Sequence, residues 1–146
     1  MGKYLIRTFV AIMLCLALSG CTQEYGRIEN VEIIIGASDK FNKEEIEEAI
    51  KRIKEKFADE FRGCELLQLW YDEESSSRQI ESYMEFGRGS INGVNRENVI
   101  ILFSNFETDS SVTGGPFEPN MIYEDWMWIL IRDSENHPWR IDDWGY

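Results

Sequence analysis

Between Phe41 and Gly63 the chain carries a full set of helix signals, and no other stretch constrains the fold as much. Asn42 suits an N-cap, and Glu45 three positions later completes a capping box. Phe41 before the cap and Ile46 inside the helix form a hydrophobic staple. Ile46, Ala49, Ile50, Ile53, Phe57 and Phe61 recur at three- and four-residue steps, so a helix over 43–62 has one apolar stripe. Glu47–Lys51 and Glu48–Arg52 supply ion pairs in the favourable order on the solvated side. Gly63 ends the helix. A helix with a single apolar stripe needs an apolar surface to lie on, and the rest of the chain supplies strands.

Residues 31–35 read as a short strand halted by Gly36, and 64–71 as a second. An acidic, serine-rich turn over 72–77 precedes a short helix over 77–86, with Ile80, Tyr83 and Met84 on one side. Three glycines make 87–98 a loop. Residues 98–106 are apolar on both faces, as in a central strand. A polar loop over 107–120, a strand over 121–132, a turn over 133–138 and a strand over 139–144 complete the chain. This order predicts an α+β domain in which a long N-terminal helix packs on one face of a curved, mainly antiparallel sheet.

The first 21 residues carry a different message. Lys3 and Arg7 form a basic start, and Phe9 to Leu18 is an unbroken apolar run, too short to span a bilayer, which takes roughly 20 residues. It reads as a signal peptide and is set aside from fold reasoning. Leu18-Ser19-Gly20-Cys21 follows directly. This segment resembles bacterial lipoprotein precursors, which implies cleavage between Gly20 and Cys21 and a diacylglyceryl thioether on Cys21. Two acyl chains hold a protein at a membrane where one does not. The competing reading is a conventional secretory signal ending near Ser19 or Gly20, which would release a soluble protein. The expected organisation is a signal peptide over 1–20, a lipidated cysteine and tether over 21–30, and one domain over 31–146.

Removing Lys3 and Arg7 with the leader leaves 13 Lys+Arg against 27 Asp+Glu, a formal net charge of −14. Such a surface is repelled by nucleic acid and by anionic head groups, and it favours basic peptides or proteins as partners. Of three cysteines, Cys15 leaves with the leader and Cys21 takes lipid, so Cys64 is left alone without a disulfide partner. Beside Leu66 and Leu67 it reads as a buried apolar residue.

No motif names a reaction. His137 is the only histidine and precedes Pro138 in a turn, a poor place for a triad or a metal site. One histidine and one usable thiol do not make a structural zinc site, and no cofactor motif is present. Gly87-Arg88-Gly89-Ser90 lacks the Gly-Lys-Ser/Thr ending and the strand-to-helix setting of a phosphate loop. Carboxylates cluster at 72–74, at Glu124-Asp125 and at Asp142-Asp143. Neighbours on a strand point to opposite faces, so Asp142 and Asp143 share a cavity only if the strand bulges.

The aromatic residues are the last candidates. Trp126 and Trp128, two apart, share a sheet face, with Trp139 across the hairpin. Trp70, Tyr83, Trp126, Trp128 and Trp139 either fill the core or line a cavity or partner-binding patch. The tail from Trp126 to Arg132 and from Trp139 to Tyr146, with the element order, resembles a family of small uncharacterised bacterial lipoproteins, mostly clostridial. That resemblance implies a cystatin-like or nuclear-transport-factor-2-like roll, and it transfers no catalytic residue. The expected function is a membrane-anchored, extracytoplasmic binding or interaction module, not an enzyme, whose partner is a basic protein or peptide or an apolar small molecule. The alternatives are an acidic inhibitor or immunity-type protein against a basic partner, and a small enzyme using one buried carboxylate.

Overall fold

The computed structural model describes residues 25–146, so the leader, Gly20 and Cys21 lie outside the described residues. In chain order the elements are β1 (Glu32–Ile35), α1 (Lys43–Glu60), β2 (Cys64–Tyr71), α2 (Glu73–Phe86), two short 3₁₀ turns (Arg88–Ser90 and Arg96–Asn98), β3 (Val99–Thr108), β4 (Ile122–Ile131) and β5 (Arg140–Gly145). They form an α+β domain with one five-stranded mixed sheet, ordered β1-β2-β3-β4-β5, and two helices. The expectation of an N-terminal helix is not met: the long helix follows β1, the strand read over 31–35. Crossing back over the sheet, it sets β1 parallel to β2, and the other three strand pairs are antiparallel.

α1 keeps its sequence promises at the N-terminus. The Asn42 side chain accepts from the Glu45 amide at 2.9 Å, and the Glu45 carboxylate accepts from the Asn42 amide at 2.8 Å. The apolar stripe is buried against Leu66, Leu69, Ile100, Leu102, Phe106, Trp128 and Leu130 of the sheet. Glu45 has two further duties. Its Oε1 accepts from Arg132 Nη1 at 2.7 Å, and its carbonyl accepts from the Trp139 indole at 3.0 Å. Arg132, buried, also lies 4.3 Å over the Trp139 ring. The hairpin end of the sheet is thereby clamped to the first turn of α1.

Two expectations fail. The serine-rich turn over 72–77 is the opening of α2. Asp72 is its N-cap, accepting from the Ser75 amide at 2.8 Å, and polar residues suit a first turn whose amides lack helical partners. The tether over 22–30 is docked from Gly26 onward. Gly26 donates to the Ala58 carbonyl, and Arg27 bridges to β2 through backbone bonds with Cys64 and Leu66. Arg27 also pairs with Glu65 and Asp109. A Cβ on Gly26 would lie 2.3 Å from the Phe57 carbonyl oxygen, so only glycine allows this approach.

α2 lies on the face of the sheet opposite α1, an arrangement the sequence did not announce. β2 pairs with β3 only as far as Phe103, which leaves the Ile101 amide without a β2 neighbour. Ser76 of α2 accepts that amide at 3.1 Å. Ile80 and Tyr83 then bury against Val99, Ile101, Phe103 and Ile131.

Candidate functional site

α2 is too short, and its stripe too narrow, to cover the second face of the sheet. Beside it runs a groove made of two adjoining hollows that share Gln79, Met127 and Tyr146. The first, about 380 Å³, has Trp70, Phe103 and Met127 among its lining residues, with Arg78 and Asp125 as its charged residues. Trp70 and Phe103 stack with ring centroids 6.0 Å apart. The second, about 250 Å³, is lined by Ile101, Ile129, Tyr83 and Phe86, with Asp143 as its one charged residue. A third hollow of about 450 Å³ lies at the 111–117 loop, with Val112, Pro116 and Phe117 as its apolar lining and Glu60 and Arg62 as its charged residues. The groove is the better site because aromatic and apolar floors converge there with placed polar groups.

One end of the groove is fixed by a polar knot. The Tyr83 hydroxyl donates to Asp142 at 2.7 Å and accepts from the Asn92 side-chain Nδ2 at 2.7 Å. Arg88 Nε donates to the same Asp142 oxygen at 3.1 Å, and the Asp142 side chain is only 9% exposed. Burial first, and then the bond to Asp142, raise the Tyr83 pKa, so the phenol stays protonated. Gly89 lies against the Tyr83 ring so closely that a Cβ there would fall 2.7 Å from a ring carbon. The glycine-rich segment after α2 therefore wraps a tyrosine.

β5 supplies the bulge that the sequence left conditional. Asp143 pairs with Ile129 and Ile141 with Leu130, so Asp142 is the extra residue. Asp142 reaches Tyr83 and Asp143 lines the groove, which puts both carboxylates on the α2 side of the sheet.

With this geometry in place, residues 31–145 match the family described as Domain of unknown function (DUF4829). The chain belongs to that family. No curated protein and no solved structure matches it. Every groove residue except Tyr146 lies inside the span shared with the DUF4829 family.

The five aromatic candidates divide within this DUF4829 domain. Trp70 and Tyr83 line the groove. Trp128 is wholly buried on the α1 side, its indole donating to Ser104 at 2.8 Å, and Trp139 is the buried clamp on α1. Trp126 packs with Phe106, Phe117, Tyr123 and Tyr146 beside the same core. These three do not line the groove.

Phe103, Met127, Ile129 and Tyr146 were missed. The first three follow from alternation in β3 and β4, where every second residue faces away from α1, but the sequence did not say that this face would stay partly open. Asp72 and Glu73 of the acidic run are committed to the fold. Glu73 accepts from Ser38 and from the amides of Asp39 and Lys40. Glu74 pairs with Arg78, and Glu124 is exposed. His137 is exposed and bonded to Ser134. Cys64 is buried, and burial pushes its thiol up to about 11. Among the described residues no group of three or more His, Cys, Asp or Glu could hold a metal ion, and no helix is long and apolar enough to cross a membrane.

Proposed function

We propose that the mature protein is a lipid-anchored, extracytoplasmic binding module that holds its ligand in the groove beside α2 and catalyses no reaction. The observation that carries the binding reading is the asymmetry of the two sheet faces. The α1 stripe is buried with the sheet in one continuous cluster, whereas the α2 side keeps a hollow of about 380 Å³ floored by Trp70, Phe103 and Met127. The anchor reading rests on Leu18-Ser19-Gly20-Cys21 and on the clostridial-type lipoproteins that the chain resembles. The cystatin-like roll draws support from α1 lying across one sheet face, while the parallel β1–β2 pair and α2 depart from a simple antiparallel roll.

The engagement of the most buried groove-side carboxylate favours binding over catalysis. Asp142 accepts from Tyr83 and Arg88, which suits a structural group better than a proton shuttle. The inhibitor reading draws on the net negative charge but loses the 72–74 run, whose first two carboxylates hold the fold together.

Nuclear magnetic resonance on the full-length protein in neutral detergent tests the site. Titration with apolar aromatic fragments should shift the Met127, Ile129 and Ile101 methyls and the Trp70 indole, and leave Ile53 and Trp128 in place. Shifts confined to the 111–117 loop, or none at these probes, would sink the groove as the binding site. Mass spectrometry of the mature N-terminus tests the anchor. A diacylated Cys21 is expected, and an unmodified N-terminus would refute it.

A further inference from the structure

Resting on the groove reading above, we infer that the occupant is an extended basic peptide segment of a partner protein, seated with a Lys or Arg side chain at Asp143 and an apolar side chain on the Trp70–Phe103 floor. Three observations carry this. First, Asp143 is the one charged residue among those lining its hollow, and among the described residues it makes no ion pair. Its Oδ1 accepts from the Trp144 amide at 2.9 Å, and its other oxygen has no bond partner among the described residues. The nearby cation, Arg88, is bound to Asp142, and Arg78 at the other hollow is bound to Glu74. Second, the walls around Asp143 include the rings of Tyr83, Phe86 and Tyr146. Aromatic faces beside a partly buried carboxylate favour a desolvated organic cation over a neutral or anionic group. Third, the two hollows adjoin, sharing Gln79, Met127 and Tyr146 in their linings, and Phe86 and Tyr146 project at the rim with 79% and 75% exposure. An elongated groove with exposed rings along its edge fits successive residues of an extended segment better than one compact molecule. The formal charge of −12 for the whole chain steers such a segment in.

The test uses the full-length protein in neutral detergent and three blocked tetrapeptides, acetyl-Phe-Ala-X-Ala-amide, with lysine, norleucine or glutamate at X. Calorimetry should give the lysine peptide at least tenfold tighter binding than norleucine, which has the same aliphatic stem without charge, and the glutamate peptide no detectable binding. Asp143→Asn keeps the oxygen that accepts from Trp144, so the fold should hold, and it should shrink the lysine preference to about twofold. Equal affinity for lysine and norleucine, or a full lysine preference in Asp143→Asn, overturns the cation assignment while leaving the groove as the binding site. Free hexylamine binding as tightly as the lysine peptide makes the occupant a small amine and overturns the peptide assignment. If no peptide binds while aromatic fragments still shift the Met127 methyl, the peptide inference alone fails. If neither binds, the groove reading fails with it.

Discussion

The two faces of the sheet share strands and differ in purpose. On the α1 side seventeen buried residues form one continuous cluster; on the α2 side only six do, so the first face carries the stability and the second is free to keep a groove. The difference begins in the helices. α1 offers a long stripe of Ile, Ala and Phe, whereas α2 opens with two glutamates and three serines and gives the sheet, as apolar cover, Ile80, Tyr83 and part of Met84. Both faces of β3 are apolar, so the strand tolerates either cover. A sheet whose central strand is greasy on both sides, covered by one long and one short helix, is left with apolar surface of Trp70, Phe103, Met127 and Ile129 open beside the short one.

The largest effect should come from the closed face. Trp128→Ala removes a fully buried indole and its bond to Ser104, and should cost about 3–5 kcal/mol in urea unfolding. Trp70→Ala, on the half-open face, should cost under about 2 kcal/mol and weaken fragment binding. Equal costs would break the comparison, because Trp70 would then be core. Next in size is the clamp. Arg132→Met strips the buried partner of Glu45 and the cation over Trp139, and should cost about 3 kcal/mol. A double-mutant cycle with Glu45→Gln should show strong coupling, and additive losses would mean the two ends are not clamped.

The closed face was largely legible in the sequence and the open one was not. α1 was readable because capping, staple and stripe are local signals that tertiary packing had only to accept. β2 was readable residue for residue, since the leucines and aromatic side chains between Gly63 and Asp72 leave few alternatives. α2 was read four residues short because Ser75 to Ser77 resemble a turn until Asp72 is known to cap them. The groove was hidden for a different reason. Which face of β3 and β4 stays open depends on where α2 lands, and that is set by a long-range bond between Ser76 and the Ile101 amide. Trp128 and Trp139 were candidates because a sequence shows aromatic content but not which side of a sheet each ring takes. The union of Asp142 and Asp143 needed a bulge, which alternation alone cannot foresee.

A smaller effect should separate the groove's polar knot from the rest. Tyr83→Phe keeps the ring that Gly89 packs against but removes the hydroxyl between Asp142 and Asn92, and should cost about 1–2 kcal/mol. Hydrogen exchange should quicken at the amides of Ile91 and Asn92 and stay unchanged in α1. Uniform quickening would mean the knot supports the whole fold and not this end of the groove alone.

The smallest effect lies where α2 starts. Hydrogen bonds from Ser38 and from the Lys40 and Asp39 amides lower the Glu73 pKa, and bonds from Ser75 do the same for Asp72. A carboxylate with a depressed folded pKa adds stability above its unfolded value, near 4, and that stability is lost as pH falls through the folded value. Both groups meet solvent, so screening keeps each contribution below about 1 kcal/mol. Glu73→Gln should therefore slightly lower stability at pH 7 and flatten its fall as the pH drops below about 4, because the variant has no proton to take up there. The acid-induced loss should appear first in the α2-side probes, Met127 and Trp70, and later in Trp128. Simultaneous loss at all three would show that the two faces unfold as one unit, and that the open face owes its openness to packing alone and not to a weaker hold on its helix.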